Sequence, residues 1–206
     1  MTTAGQTIHG APQAEATYNG TAKFLHWLAV ILIAVQFPLG ALMPPTGRDE
    51  VPTAAVNMHF SIGMVVLILF TIRFGWRLLH PVAMQQSLPA LQKRMAHAAH
   101  SLLYALTFAT LIAGWAHASM RGWPIKIFGL IPVPAICEEG SEFGHFVGHY
   151  HEAFAWALLA LIGVHLAGVM YHQLVQRDRI LQRMLPDPGK RTATAPASRT
   201  TSLANA

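Results

Sequence analysis

Residues 145–175 read HFVGHYHEAFAWALLALIGVHLAGVMYHQLV, and this stretch decides the fold. It holds five histidines and one charged side chain, Glu152, in a run longer than the ~20 residues a helix needs to cross hydrocarbon. The basic residues Arg177, Arg179 and Arg183 close it. Ionisable groups inside a bilayer are expensive and mark function by default. His151 and His165 are fourteen residues apart, close to four helical turns, so they project from nearly the same helix face. At 1.5 Å per residue they are separated by roughly 21 Å of depth.

Three further apolar runs of similar length precede this one. They span about 21–43, ending at Pro44-Pro45, about 55–79, ending at His80-Pro81, and about 97–120, followed by Arg121-Gly122. Proline and glycine interrupt the intrahelical hydrogen-bond ladder and so punctuate the runs. The expected fold is therefore all-α, an integral membrane four-helix bundle over residues 21–186. A flexible N-terminal segment is expected over 1–20, and a disordered tail rich in Thr, Ala, Ser and Pro over 187–206. The segment before Thr21 has neither a basic start nor a cleavage site, so the first run is expected to remain a true span.

Composition agrees. Of 206 residues, 53% are hydrophobic and 11% charged, against about 25% charged in a soluble domain. The net charge of +5 does not indicate a nucleic-acid binder, because the basic residues cluster at the ends of apolar runs. Lys23, Arg73, Arg77, Lys93, Arg94, Arg177, Arg179, Arg183, Lys190 and Arg191 fall on one side. Arg48, Arg121 and Lys126 fall on the other, beside Asp49, Glu50, Glu138, Glu139 and Glu142. The positive-inside rule then places both termini in the cytoplasm and the long loop 121–144 outside. In that loop, Trp123-Pro124 and the apolar 125–131 predict a short interfacial element. The lone Cys137 excludes an intrachain disulfide and an iron–sulfur cluster.

Depth sorts the histidines into two levels. His26, early in the first span, matches His165 near the inner face, while His59, early in the second, matches His151 near the outer face. Paired histidines on facing helices can grip a flat macrocycle from both sides, which predicts two haem groups held by His26 with His165 and His59 with His151. Gly63, Gly163 and Gly168 are read as clearance beside these residues. Two rival readings stand: histidines that merely hydrogen-bond neighbouring helices in a structural tetraspan, and a histidine-based metal transporter. The transporter reading lacks the carboxylate or thiol partners such a site wants, since only Glu152 lies within a span.

Arg73 is a candidate contact for an inner haem propionate, because a guanidinium matches a carboxylate in a fork, and Arg77 follows one turn on. Arg121 and Lys126 are candidates to steer a small anion toward the outer haem. His97, His100, His117, His145, His149 and His172 receive no fixed role.

At these residues the sequence resembles the bacterial cytochrome b561 family. The resemblance is carried by KFLHWL (23–28), MHFSIG (58–63), TIRFGWR (71–77), AHAAHSLLY (96–104), YHE (150–152), IGVHL (162–166) and LQRMLP (181–186), in that order and spacing. It implies a di-haem b protein of the bacterial inner membrane with axial ligands His26, His59, His151 and His165. It further implies electron transfer from an outer-face donor to membrane quinone. One branch of that family oxidises superoxide and reduces ubiquinone. Other members serve a partner dehydrogenase or hydrogenase. The acidic outer loop and His117 depart from the family pattern and leave the donor open, as the oligomeric state is also left open.

Overall fold

The computed structural model describes residues 18–44, 50–81, 89–178 and 180–185. The expected flexible segment before residue 18 and the tail after residue 186 lie outside these. Helix α1 (Gly20–Ala41), α2 (Ala54–Leu79) and α3 (Ala90–Met120) are followed by a small hairpin of β1 (Lys126–Ile127) and β2 (Ile131–Pro132). Then come α4 (Glu142–His149) and α5 (His151–Tyr171). Among the described residues, four helical stretches, with α4 and α5 forming one of them, are long and apolar enough to cross a membrane.

Local chemistry sets the boundaries. The side-chain oxygens of Asn19, Thr53 and Ser141 accept from the backbone N–H of Ala22, Val56 and Gly144, which caps α1, α2 and α4. Helix α2 stops at Leu79 because His80 precedes Pro81, and the pre-proline residue is pushed out of helical geometry. Pro38 lies inside α1, where it removes one ladder donor.

Two boundaries differ from the hydropathy reading. α3 starts at Ala90, seven residues before His97, because Gln92, Lys93 and Arg94 continue the helix although they end its apolar stretch. The expected continuous fourth helix is interrupted at Tyr150, which closes α4 and opens α5. Beyond Tyr171 the chain widens into a π-helical turn, His172–Gln176, ended by Arg177 at a positive φ of 50°. His172 Nδ1 meets Asp178 Oδ2 at 2.6 Å across this turn.

Helix α1 packs on α2, α2 on α3, and α3 on both α4 and α5. The buried centre comprises Leu25, Ala29, Val66, Leu69 and Phe70, with Tyr104, Phe108 and Leu111 packed against it. Phe70 and Phe74 each meet Tyr104 and Phe108 edge to face. Helix α5 buries one residue, Leu158, and presents Trp156, Val164 and Leu166 outward as an apolar face suited to lipid.

Both ends of the described chain lie on one side of the bundle. The Trp27 indole N–H donates to the Met184 carbonyl at 2.8 Å, and the Arg183 guanidinium stands 6.0 Å from the Tyr18 ring centre. This is called the termini side below. On the opposite, loop side, the hairpin is bound to α2. Ser61 Oγ donates to Asn57 O at 2.7 Å and accepts from Phe128 N–H at 2.9 Å. Phe128 and Gly129 form the turn with φ of 49° and 73°.

Candidate functional site: two levels of histidines

On the loop side the bundle brings together His59, sixth residue of α2, and His151, first residue of α5. Their ring centres are 6.1 Å apart and their planes stand at 87°. The two rings are seated alike. A Cβ added to Gly40 of α1 would lie 2.9 Å from Cε1 and 3.3 Å from Nδ1 of His59. A Cβ added to Gly114 of α3 would lie 2.8 Å and 3.0 Å from the same atoms of His151. Each imidazole thus rests its Cε1–Nδ1 edge on a glycine of the preceding span, with Nε2 further off, at 3.8 Å for His59 and 3.6 Å for His151.

A hydrogen bond fixes one of these rings further. His151 Nδ1 lies 2.8 Å from the Thr110 carbonyl, so Nδ1 carries the proton and Nε2 holds a free lone pair. A ligating histidine is ordinarily oriented in this way by its other ring nitrogen. On α1, Gln36 Nε2 donates to the His59 backbone carbonyl at 2.8 Å. His59 Nδ1 itself is buried without a partner among the described residues.

Two imidazoles held on opposite sides of one metal ion, at roughly 2 Å per bond, have ring centres roughly 6 Å apart. The loop-side spacing and the orientation of His151 therefore fit a haem iron between them. Among the described residues, no cluster of three or more His, Cys, Asp or Glu side chains stands close enough to hold a metal ion by itself.

The termini-side level gathers more groups. His26, seventh residue of α1, has Arg73, His165 and His100 as its chargeable neighbours. His165 of α5 and His100 of α3 have ring centres 5.4 Å apart. Arg73 Nη1 donates to the Ala22 carbonyl at 3.1 Å, which places the guanidinium one turn from His26 on α1. Sequence reasoning left the role of His100 open, between a propionate contact, a proton route and a structural place, and the structure sets it against His165.

The remaining expected residues fall in three places. Arg121 is stacked over the Trp123 ring at 4.7 Å, at the end of α3, while Lys126 is exposed on β1. His117 sits under α4, where a Cβ on Gly148 would come within 2.7 Å of its Nδ1, and its ring faces Trp123 at 6.3 Å. Cys137 donates to the Ala116 carbonyl at 3.4 Å and packs beside Gly144, a structural position. Of the glycines read as clearance, Gly63 faces Gln36 and Leu111, whereas Gly163 and Gly168 have no protein atom within 4 Å of an added Cβ. The glycines that seat the histidines, Gly40 and Gly114, were missed. Their signal was the repeated spacing of a polar residue four positions earlier, Gln36 before Gly40 and Thr110 before Gly114.

Four apolar spans enclosing histidines at two depths define a membrane protein built to hold a planar metal cofactor between helices. The profile described as Prokaryotic cytochrome b561 matches residues 17–187, and the chain belongs to that family. It is 31% identical to "Cytochrome b561 homolog 2" of Escherichia coli (strain K12), over 82% of this chain and 90% of the relative. It is 28% identical to "Probable superoxide oxidase CybB" of Yersinia pestis, over 79% and 92%. It is likewise 28% identical to "Cytochrome b562" of Cereibacter sphaeroides, over 83% and 96%. The chain is therefore a multi-pass protein of the bacterial inner membrane, with haem b and transmembrane electron transfer as its family chemistry.

Proposed function

We propose that the chain carries electrons across the membrane by way of two haems b, taking them from superoxide on the loop side and delivering them to ubiquinone. The carrying observation is the 6.1 Å approach of His59 and His151, each backed by a glycine. A porphyrin iron supplies the one-electron redox chemistry, while the protein supplies ligands, orientation and dielectric. His59 and His151 hold the loop-side group, with Thr110 fixing the His151 tautomer. His26 and His165 hold the termini-side group, and Arg73 neutralises a propionate there. Two imidazoles per iron would leave no position for oxygen to bind, which favours electron transfer without inner-sphere chemistry.

Two superoxide ions and one quinone, with two protons, give two molecules of oxygen and one quinol. Arg121, held over Trp123, and the exposed Lys126 supply positive charge on the side where superoxide arrives, which raises encounter rates. The termini side is read as cytoplasmic from its excess of Lys and Arg. The name of the Yersinia pestis relative supports the superoxide reading. The family's breadth supports a second one, in which the chain is the haem subunit of a separate dehydrogenase or hydrogenase.

Haem content and donor separate these readings. Purified protein should contain two haems per chain by pyridine haemochrome. His59→Ala and His151→Ala should remove one spectral component, and His26→Ala and His165→Ala the other. Stopped-flow mixing with a superoxide source should reduce the haems, with superoxide dismutase as control. Reduction no faster than in the dismutase control transfers the chain to the partner-subunit reading. One haem per chain overturns the two-level assignment.

A further inference from the structure

Beyond Tyr171 the chain turns back across the termini side of the bundle, from α5 to α1. Arg177, in the left-handed region at a φ of 50°, lies at the reversal. A non-glycine residue persists there only where its surroundings over-determine it. Asp178 supplies that hold through three hydrogen bonds. Its backbone N–H donates to the His172 carbonyl at 3.2 Å, its Oδ2 accepts from His172 Nδ1 at 2.6 Å, and its Oδ1 accepts from the Ile180 N–H at 3.1 Å. A short 3-10 turn, Leu181–Arg183, follows, and the Met184 N–H donates back to the Leu181 carbonyl at 2.9 Å. The Met184 carbonyl accepts from the Trp27 indole N–H at 2.8 Å. Trp27 in turn stands edge to face with its neighbour His26, their ring centres 5.6 Å apart.

We propose that Asp178 and residues 180–185 form a strap tying α5 to α1, and that this tie fixes the span between His165 and His26 across the termini-side haem. The inference rests on the di-haem reading above, which assigns that pair to one iron. Helix α1 packs on α2, and α5 on α3, so the two histidines stand on different halves of the bundle. A metal site keeps its ligand distances to within roughly 0.2 Å, so the spacing of those halves has to be set. The strap is anchored where it can set it. On α1 it grips Trp27, the residue next to His26, and on α5 it grips His172, about two turns beyond His165. Trp27 is thus a positioning residue, held by the strap and holding His26 by ring contact. The loop-side pair is seated differently, on Gly40 and Gly114, and does not depend on the strap. Loosening the strap at either end therefore lets one imidazole leave the termini-side iron and opens a coordination position there alone.

The test uses the haem-loaded full chain in lipid nanodiscs. Carbon monoxide binds a reduced haem only where an axial position is open, so it reads the loss of one imidazole directly. Asp178→Ala releases the strap at α5, and Trp27→Phe releases it at α1 while keeping an aromatic ring beside His26. Each should raise the carbon-monoxide-reactive fraction of the termini-side component roughly threefold to tenfold, the weight of one hydrogen bond, with the loop-side component unchanged. Loss of the termini-side haem alone supports the tie equally. Hydrogen exchange at the Ile180 amide and the Trp27 indole should be slow in the wild type and faster in both variants. Fast exchange at these groups in the wild type overturns the proposal, as does an unchanged reactive fraction in either variant. Loss of both haems together also overturns it, because the strap then supports the whole bundle and not one ligand pair. Haem content separates the two readings. One haem per wild-type chain fails the di-haem reading and the tie with it, whereas two haems with unreactive variants fail the tie alone.

Discussion

Gly114 is the residue at which one methyl group decides the loop-side site. A Cβ there would stand 2.8 Å from His151 Cε1, and the ring cannot swing away without giving up the Thr110 carbonyl. Overpacking of this kind costs about 1–3 kcal/mol. Gly114→Ala should therefore lower the occupancy of the loop-side haem and shift its midpoint potential, leaving the other component unchanged. Gly75→Ala serves as control, since an added Cβ at Gly75 meets nothing within 4 Å. Redox titration followed by visible absorption reads both, and equal titrations for Gly114→Ala and wild type would remove glycine from the account of the site. The histidine levels were legible in the sequence because depth along a spanning helix follows from counting residues. Gly40 and Gly114 were not, because which helix face meets which ring depends on crossing positions that no single helix encodes.

Among the elements, the hairpin is tied to α2 by the side chain of Ser61. Ser61 is 1% exposed, and its hydroxyl bridges Asn57 O on α2 to Phe128 N–H in the turn. Ser61→Ala leaves a turn amide without its acceptor, at a cost of about 1–3 kcal/mol if the amide stays buried. The expected result is faster hydrogen exchange at Phe128 with unchanged exchange in the middle of α2. Unchanged exchange at Phe128 would show that the β1–β2 pairing alone holds the turn. The sequence announced an interfacial element near Trp123-Pro124 but not its form, because strands of two residues leave no periodic pattern. The break at Tyr150 was hidden for a related reason. His145 to Val175 reads as one run, and hydropathy does not register a single residue leaving the helical ladder.

Across the whole molecule, the four spans were legible because lipid demands long, nearly uncharged helices, and composition records that demand directly. The packing order was less so. α5 reaches both histidine levels, with His151 against α2 and His165 against α3, while burying Leu158 alone. On the proposed ligation, every iron takes one of its two imidazoles from this helix. A chain ending at residue 141 keeps α1, α2 and α3 and should insert in the membrane yet retain no haem by pyridine haemochrome. Retention of one haem would mean that His100 or another α3 histidine substitutes. On that same proposed ligation, the feature orders events during biosynthesis. His26 and His59 leave the ribosome early and wait, each with half a ligand set, until the final span has entered the bilayer. Cofactor capture then becomes a report that translation has reached its last helix, and a stalled chain is one that never takes on colour.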